Sequence, residues 1–478
     1  MATFFGRGRE LEELQRLTQK KTASLVAITG RRRIGKSRLV EEFAKRNPRY
    51  RSVVLSGLAP GPGITSKSQR QEFARQVERQ FAIPPIADED WADLFSHLAA
   101  RVSSGKWIVL FDEISWQGME DPTFLPKLKN AWDLQLKKNP NLILILCGSV
   151  SSWIEKNLLS STGFVGRISL RLRLRELEAR VCEHFFPQSI SSPYDKLKTL
   201  SVTGGVPRYL EELVPSLDVD QNLARLCLTP EGILFSEFNQ IFSELFSKRF
   251  AEYKKVATHL SSGPDTFSGI CGSLDLPKNG VTADRLDDMV TAGFLARDYA
   301  WHLNSKKTAK YSRFRLSDNY VRFYLRCIEP HMQQIEKGLF TSRPISTIPG
   351  WDSIVGLQFE NSVLNNREFI WRACQLSPDD IIQDGPFVQT RTKRKSGCQI
   401  DYLIQTKHGP LYVCEIKFRR GKLGLEVADE VARKAEKLKL PKQASVLPVL
   451  IHVGGVTDRL RYSDRFARIV DFTDVFTG

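Results

Sequence analysis

Three short apolar runs in the first third of the chain alternate with segments of helical periodicity. Leu25–Thr29, Trp107–Phe111 and Leu142–Cys147 are rich in Val, Ile and Leu, as strands buried on both faces are. Arg38–Lys45, by contrast, repeats its apolar residues at helical spacing. Strands and helices that alternate in this way predict an α/β fold, a doubly wound parallel sheet, for residues 1–175.

The loop between the first strand and the following helix has the pattern G-x-x-x-x-G-K-[ST]. In a P-loop of this kind, backbone N–H groups and the helix N-terminus point at phosphates, the lysine reaches phosphate oxygens and the hydroxyl ligates magnesium. A chance glycine turn is the alternative, which the flanking strand and helix disfavour. The pattern predicts an ATP and Mg²⁺ site built from Gly30, Arg31, Arg32, Arg33, Ile34, Gly35, Lys36, Ser37 and Arg38.

Polar residues follow the next two buried strands. Asp112 and Glu113 end one strand, and Ser149 follows the other. Because ligands bind at the carboxyl ends of parallel strands, Asp112 is expected to hold magnesium through water and Glu113 to polarise the attacking water. Ser149 either senses the γ-phosphate or is an ordinary small turn residue.

Composition adds an expectation about partners. The 478 residues include 70 Lys and Arg against 54 Asp and Glu, a formal net charge of +16. Such an excess favours a polyanionic partner, nucleic acid first and a membrane surface second. The apolar runs are too short to span a bilayer, and the N-terminus lacks a secretory signal pattern. Eight scattered cysteines without a C-x-x-C pair favour a reducing cytoplasm.

The middle of the chain reads as two further regions. Residues 176–244 are mainly helical, and in 245–335 three helical segments precede two strand-like runs, Phe294–His302 and Arg313–Ser317. That order predicts a winged helix-turn-helix. Such a module binds DNA or serves as a spacer or protein contact, and Asp284, Asp287 and Asp288 on the expected recognition helix, Thr282–Ala292, would repel phosphates.

Pro344–Gly350 reads as a linker, and residues 351–478 have the size of a separate domain. This last region contains a predicted hairpin, Cys398–Gln405 followed by Leu411–Phe418. With the hairpin centred on His408, Asp401 is expected to face Glu415 across the two strands, and Gln399 to face Lys417.

Two carboxylates held side by side can bind a hard divalent cation. Lys417 would stabilise charge on a phosphate under attack. Gly356–Glu360 is expected to open a helix through which Glu360 could bring a third carboxylate to the metal. The alternative is an amphipathic hairpin whose charged face is merely solvated. The neighbouring basic segments, Arg391–Lys395 and Arg419–Arg420, favour a phosphate backbone nearby.

Taken together, these motifs resemble those of the archaeal-type ATPases, relatives of the AAA+ and STAND classes. The C-terminal region resembles the restriction-endonuclease-like PD-(D/E)xK fold, with Ile400 where that motif has proline. The matching segments are Phe5–Leu11, the P-loop, Leu110–Glu113, Cys147–Ser149, Gly204–Arg208 and Tyr311–Tyr324.

The resemblance implies roles for further residues. Arg7 would lie near the adenine edge, and Pro207 and Arg208 would lie near the γ-phosphate as a sensor-2-like element. Arg167 would be a finger acting in trans within a homo-oligomer, or an ordinary surface arginine. Glu360, Asp401, Glu415 and Lys417 all have counterparts in the nuclease pattern.

The sequence thus predicts a cytoplasmic ATPase coupled to a metal-dependent nuclease acting on DNA. One alternative is a nucleotide-switched protein whose nuclease-like domain holds nucleic acid, or whose winged helix docks a protein, without cleavage. Another is a regulator that acts in a transcription complex. The complete acidic set favours cleavage, because holding nucleic acid needs only basic residues.

Overall fold

The computed structural model of the chain describes residues 3–86, 89–118, 121–149, 151–246, 249–340, 344–391, 397–441 and 444–477. Most of the predicted basic segment Arg391–Lys395 therefore lies outside the described residues. The chain divides into two units. The first comprises Met1–Arg175, Ile241–Ser247 and Thr291–Gly293, and the second Glu176–Gln240, Lys248–Val290 and Phe294–Gly478. Within the described ranges, no helix has the length and apolar composition needed to cross a bilayer.

The first unit is built on a parallel sheet with the strand order β2-β3-β4-β1-β5. This confirms the predicted α/β class and the parallel sheet. The elements in chain order are α1 Gly8–Leu17, β1 Ser24–Thr29, α2 Lys36–Arg46, β2 Arg51–Ser56, α3 Ser66–Phe81, α4 Trp91–Arg101, β3 Trp107–Asp112, α5 Ile114–Gly118, α6 Phe124–Leu134, β4 Leu142–Gly148, α7 Ser151–Ile154 and β5 Ile168–Arg173.

The two faces of this sheet belong to different cores, as alternation along a strand requires. Phe111 packs on one face among the aromatic rings of α3, α4 and α6. Leu110 faces the other core, with Phe43 of α2. Burial of both faces explains why β1, β3 and β4 are continuous apolar runs. Their carboxyl ends lie at one edge of the sheet and carry the P-loop, Asp112 and Ser149.

Although the C-terminal ends of two helices, from Ile241 and from Thr291 onward, belong to the first unit, the remaining elements lie mainly in the second. They are α8 Ala179–Cys182, α9 Pro193–Thr203, α10 Pro207–Leu210, α11 Val219–Cys227, α12 Ile233–Phe246, α13 Phe250–Ser261, β6 Asp265–Thr266, α14 Phe267–Ser273, α15 Gly280–Ala292, β7 Leu295–Trp301, β8 Thr308–Leu316, α16 Asn319–Phe323, α17 Met332–Glu336, α18 Trp351–Asn365, α19 Arg367–Ala373, β9 Ile381–Gln389, β10 Cys398–Thr406, β11 Leu411–Phe418, α20 Glu426–Lys437, β12 Val446–Val453, α21 Asp458–Arg461 and β13 Arg468–Asp471.

The region of the predicted winged helix has its helices and hairpin where the sequence placed them. α13, α14 and α15 precede the antiparallel pair β7 and β8, and β6 adds a short strand to β8. Two of the three acidic side chains of α15 are engaged within this region: Asp287 pairs with Arg297 at 3.3 Å, and Asp288 accepts a hydrogen bond from Tyr253. The arrangement is compatible with a winged helix. The divisions at 176–244, 245–335 and 351–478 stay predictions.

The C-terminal sheet has the order β13-β12-β11-β10-β9. β9, β10 and β11 are antiparallel, whereas β11, β12 and β13 are parallel. α20 packs on one face through Val427 and Val431, and on α18 Phe359 contacts Phe418 and Phe472. This mixed α/β sheet is compatible with the predicted C-terminal domain.

Two details differ from expectation. In the segment Pro344–Gly350, Ile345 and Ile348 are buried, so this stretch is packed and is not a free linker. Glu360 does not lie at the opening of a helix, because α18 begins at Trp351 after the left-handed Gly350 and places Glu360 in its C-terminal half. All eight cysteines are free and buried, as expected of reduced thiols.

Candidate functional site

The loop between β1 and α2 has the backbone geometry that a phosphate cradle needs. Gly30 and Gly35 have φ angles of 152° and 92°, and a Cβ atom on Gly30 would lie 2.8 Å from the carbonyl oxygen of Leu174. Gly35 is the residue immediately before α2, so the loop leads into a helix N-terminus. Glycine is required at these positions because a side chain would be strained or would clash.

The lysine and serine of the loop converge with the first acid of β3. Lys36 is buried, and its Nζ donates to the backbone oxygens of Gly30 at 3.1 Å and Arg31 at 3.2 Å. Ser37 Oγ donates to Asp112 Oδ2 at 2.7 Å. A cation, a hydroxyl and a carboxylate therefore meet at the end of the sheet.

Glu113 and Ser149 form a second contact at this edge. Glu113 has a φ of 50°, unusual for a residue other than glycine. Its Oε2 accepts from both the backbone N–H and the hydroxyl of Ser149, at 2.9 and 2.7 Å. The structure thus brings together Lys36, Ser37, Asp112, Glu113 and Ser149.

This set fits a triphosphate and a magnesium ion by the chemistry of its donors. The ammonium of Lys36 is held by neutral carbonyls, so its charge is available to an anion. Ser37 and Asp112 supply the hard oxygen atoms that magnesium prefers. When bound, the metal would neutralise charge that develops on the phosphates. Glu113, held by Ser149, would orient a water molecule.

The loop carries three further arginines, and a fourth lies in the first turn of α2. Arg31 is buried, and Arg32, Arg33 and Arg38 are partly exposed. Ile34, between them, is fully buried in the core beneath the loop. Their contacts with nucleotide stay predictions.

Arg7 joins the loop to the end of β5. Its Nη2 donates to the backbone oxygen of Ile34 at 3.1 Å and to that of Arg175 at 2.6 Å, and its Nη1 pairs with Glu10. The guanidinium therefore braces the backbone of the P-loop. A role at the adenine edge stays a prediction for this residue.

Two other arginines have carboxylate partners. Arg167 makes a two-pronged contact with Asp133, at 2.8 Å from Nη2 and 3.0 Å from Nε. Its hydrogen bonds hold the pKa of Asp133 well below the usual range. Arg208, next to Pro207 at the start of α10, pairs with Glu212 at 2.6 Å and is half-exposed. The nucleotide-sensing roles of Pro207 and Arg208 remain predictions.

The predicted register of the C-terminal hairpin is confirmed from Tyr402–Cys414 to Gln405–Leu411. The ladder ends there, and the side chain of Asp401 instead accepts from the backbone N–H of Ile416 at 3.1 Å. Gln399 was expected to face Lys417, but the ladder between β10 and β11 does not extend to Gln399, which pairs with Val388 of β9 on its other side. Near the same point, the register of β10 against β9 shifts between Ile400 and Leu403.

Asp401 and Glu415 nevertheless converge on one ammonium group, that of Lys434 on α20. Lys434 Nζ lies 2.6 Å from Glu415 Oε2 and 3.8 Å from Asp401 Oδ1. Lys417 Nζ lies 2.8 Å from the other oxygen of Glu415 and 3.0 Å from Glu430. Glu415 is only 2% exposed, so these lysines compensate a buried charge.

The electrostatics of the cluster reflect burial and like charge. Burial and then the charge of Asp401 raise the pKa of Glu360 to about 7. The same two causes raise the pKa of Glu415, although Lys417 and Lys434 oppose them. Burial alone would lower the pKa of Lys417, but Glu415 and Glu430 raise it.

Glu360 shares a cleft with Asp401 and forms no hydrogen bond or ion pair with any described residue. Across the described ranges, no group of three or more His, Cys, Asp or Glu side chains has a metal-holding arrangement. The donor set still fits a hard cation, because Asp401 and Glu415 already share one positive charge. Asp401 and Glu415 would hold such an ion, with Glu360 beside them.

Sequence reasoning missed Lys434 and Glu430. Their i, i+4 spacing on an amphipathic helix indicates an ion pair, but nothing in the spacing says that the pair faces the hairpin. The sequence spacing likewise does not indicate that Arg313 of β8 contacts the hairpin, where it donates to the side-chain oxygen of Gln399 at 3.2 Å.

Comparison with known proteins agrees with the geometry at β1, β3 and β4. Residues 4–213 match the model of a family described as an ATPase domain predominantly from Archaea. The chain therefore carries an ATPase domain of the archaeal type, which supports ATP binding and an ATPase function for this region.

The proteins and structures similar to this chain include several from Archaea. An uncharacterised protein of Methanocaldococcus jannaschii is 24% identical over 359 residues, 75% of each chain. The Walker-type ATPase of Pyrococcus abyssi has a TM-score of 0.48 at 17% identity, covering 68% of this chain and 96% of its own. The ORC2 protein of Aeropyrum pernix, in ADPNP–ADP complexes, has a TM-score of 0.41 at 14% identity, covering 70% and 96%.

Proposed function

We propose that this chain couples ATP hydrolysis in its N-terminal domain to metal-dependent cleavage of DNA by its C-terminal residues. The proposal of DNA cleavage rests on the convergence of Asp401 and Glu415 on the single ammonium of Lys434, at 3.8 and 2.6 Å. Carboxylates that can share a cationic group can also share a divalent cation. Lys417, beside Glu415, supplies a positive charge for a phosphate.

In this proposal the protein's own residues divide the work. Lys36 binds the nucleotide phosphates, Ser37 and Asp112 hold magnesium, and Glu113 orients water for ATP hydrolysis. Asp401, Glu415 and Glu360 hold the second metal site. The net charge of +16 favours a polyanionic substrate, and nucleotide state would control assembly or access to DNA.

A cleavage panel tests this function. The purified chain is incubated with supercoiled, linear, single-stranded and branched DNA, and with RNA, in Mg²⁺ or Mn²⁺, with and without ATP. We expect the wild type to nick or cut DNA, and we expect Asp401→Asn and Glu415→Gln to abolish cleavage while ATP hydrolysis is retained. Asp429→Asn is the matched control, because this carboxylate is exposed on α20 and pairs only loosely with Arg465.

A second candidate is a nucleotide-switched protein that binds nucleic acid without cutting it. It is favoured by the absence, among the described residues, of a three-ligand metal cluster. Wild-type protein that binds DNA under every condition but leaves all substrates intact would support this candidate and would refute cleavage.

A further inference from the structure

The β7–β8 hairpin, which we call the wing, is fixed on the C-terminal sheet. Trp301 Nε1 donates to Gln405 Oε1 at 2.9 Å, and Gln405 Nε2 donates to the backbone oxygen of Leu303 at 2.8 Å. Trp301 also packs edge-on against Phe387, with ring centroids 5.1 Å apart. Trp301 and Gln405 are buried. The wing therefore forms part of the C-terminal site region and is not a free arm.

A second attachment lies close to Glu360. Arg315 of the wing pairs with Asp298 through two contacts, at 2.9 and 3.3 Å, and donates to Asn361 on α18. Asn361 follows Glu360 in the chain. The buried guanidinium of Arg315 thus fixes the position of β8 relative to the helix that carries Glu360.

Alternate residues of β8 then face one cleft. Tyr311, Arg313 and Arg315 share a side of the strand, and they line a cleft together with Glu360, Gln399 and Asp401. A more open groove shares Tyr311, Arg313, Val388 and Gln399 with this cleft and extends to Arg391. Arg313 therefore lies where the open groove meets the cleft that contains the carboxylates.

The charge of Arg313 is not neutralised by a carboxylate within the described part of the chain. Its guanidinium donates to two neutral oxygens, the side-chain oxygen of Gln399 at 3.2 Å and the backbone oxygen of Pro264. Arg315, by contrast, is paired with Asp298. A partly exposed guanidinium with two neutral acceptors keeps donor capacity for a phosphate oxygen.

We propose that the wing is one wall of the DNA site and that Arg313 binds a phosphate of the strand that leads to Asp401. This inference rests on the proposed nuclease function. It assigns DNA contact to the strand β8, while α15, with Asp284, Asp287 and Asp288 on it, is not the element that approaches the phosphates. Arg313 is a binding residue whose effect is on DNA affinity.

Binding is measured in an Asp401→Asn background, so that cleavage does not interfere. Labelled duplex and single-stranded DNA, and RNA of the same sequence, are titrated at several salt concentrations. We expect Arg313→Gln to weaken DNA binding by about tenfold and to reduce the slope of log affinity against log salt by about one. Arg313→Lys should restore much of the affinity, since the charge is retained.

Lys310→Gln is the matched control, because Lys310 is exposed on the same strand but alternates with Arg313 and lies on its other side. Its DNA affinity should equal that of the background protein. Equal affinities for Arg313→Gln and Lys310→Gln, with unchanged melting temperatures, would overturn the inference even if the wild type cuts DNA. A larger effect of Arg313→Gln on RNA than on DNA would also overturn it. Failure of the wild type to bind any nucleic acid would instead overturn the proposed nuclease function on which this inference rests.

Discussion

Ser149 donates two hydrogen bonds to one oxygen of Glu113, from its backbone N–H at 2.9 Å and from its hydroxyl at 2.7 Å. The two residues come from the ends of neighbouring parallel strands, β3 and β4. Glu113 has a left-handed backbone conformation, so its side chain is directed by the turn as well as by Ser149. The pair holds in place the carboxylate expected to orient water.

Replacing Ser149 with Ala should lower ATP hydrolysis while ATP binding is retained. The hydroxyl contributes one of two hydrogen bonds to a charged group, and its loss is expected to reduce kcat by about tenfold. Steady-state hydrolysis and equilibrium ATP binding are the measurements, with exposed Ser103→Ala as the control. An unchanged or increased kcat would show that Ser149 does not position Glu113 for catalysis.

Lys36→Ala should remove ATP binding. The buried ammonium is held only by backbone oxygens, and a charge-assisted contact with phosphate would be lost, so the Kd should rise at least about tenfold. Calorimetric titration with ATP and Mg²⁺ measures this. Lys45→Ala, an exposed residue on the same helix, should bind like the wild type. Wild-type hydrolysis by the Lys36→Ala variant would refute the P-loop assignment.

The site at β1, β3 and β4 could be predicted from sequence because its determinants are local. Each strand is an apolar run. Asp112 ends β3, Ser149 follows β4, and Lys36 follows β1 after the loop Gly30–Gly35. Parallel strand ends meet at one edge of a sheet, so short segments were enough to bring these residues together. The hairpin register was likewise set by its turn.

The remaining parts of the C-terminal site depend on tertiary contacts that leave no periodic signal. Trp301 and Gln405 are 104 positions apart, and Arg313 and Gln399 are 86 apart. Lys434 reaches Asp401 and Glu415 because α20 packs on β10 and β11. The sequence pattern does not indicate which acidic residues a partly exposed basic side chain such as that of Lys434 contacts.

Lys434→Ala should destabilise the chain in the absence of divalent cations. Glu415 is buried, and of its two ion-pair partners among the described residues it would keep Lys417. We expect a loss of about 1–3 kcal/mol, below the range for a fully buried pair because Lys434 is partly exposed. Thermal unfolding measures this. Lys437→Ala, at an exposed position of the same helix, should have little effect.

Magnesium distinguishes the proposed metal site from a purely structural ion pair. If Asp401 and Glu415 hold a cation, Mg²⁺ should raise the melting temperature of Lys434→Ala more than that of the wild type, because the ammonium no longer occupies the carboxylates. An equal response in both proteins, with ATP absent, would contradict metal binding at these residues.

Arg167→Ala should lower thermal stability in a pH-dependent manner and leave ATP hydrolysis by the folded protein near the wild-type rate. Hydrogen bonds from Arg167 depress the pKa of Asp133 in the folded state. A depressed folded-state pKa stabilises the protein above the unfolded pKa of Asp, about 4, and this contribution is lost as the pH falls further. The difference in melting temperature between wild type and variant should therefore be greatest near neutral pH and should narrow below about pH 4.

Arg16→Ala, which breaks an exposed ion pair with Glu13, is the control and should show almost no difference in melting temperature from the wild type at any pH. A large loss of kcat without a change in stability would instead show that Arg167 acts on nucleotide, as expected of an arginine finger that acts in trans within a homo-oligomer.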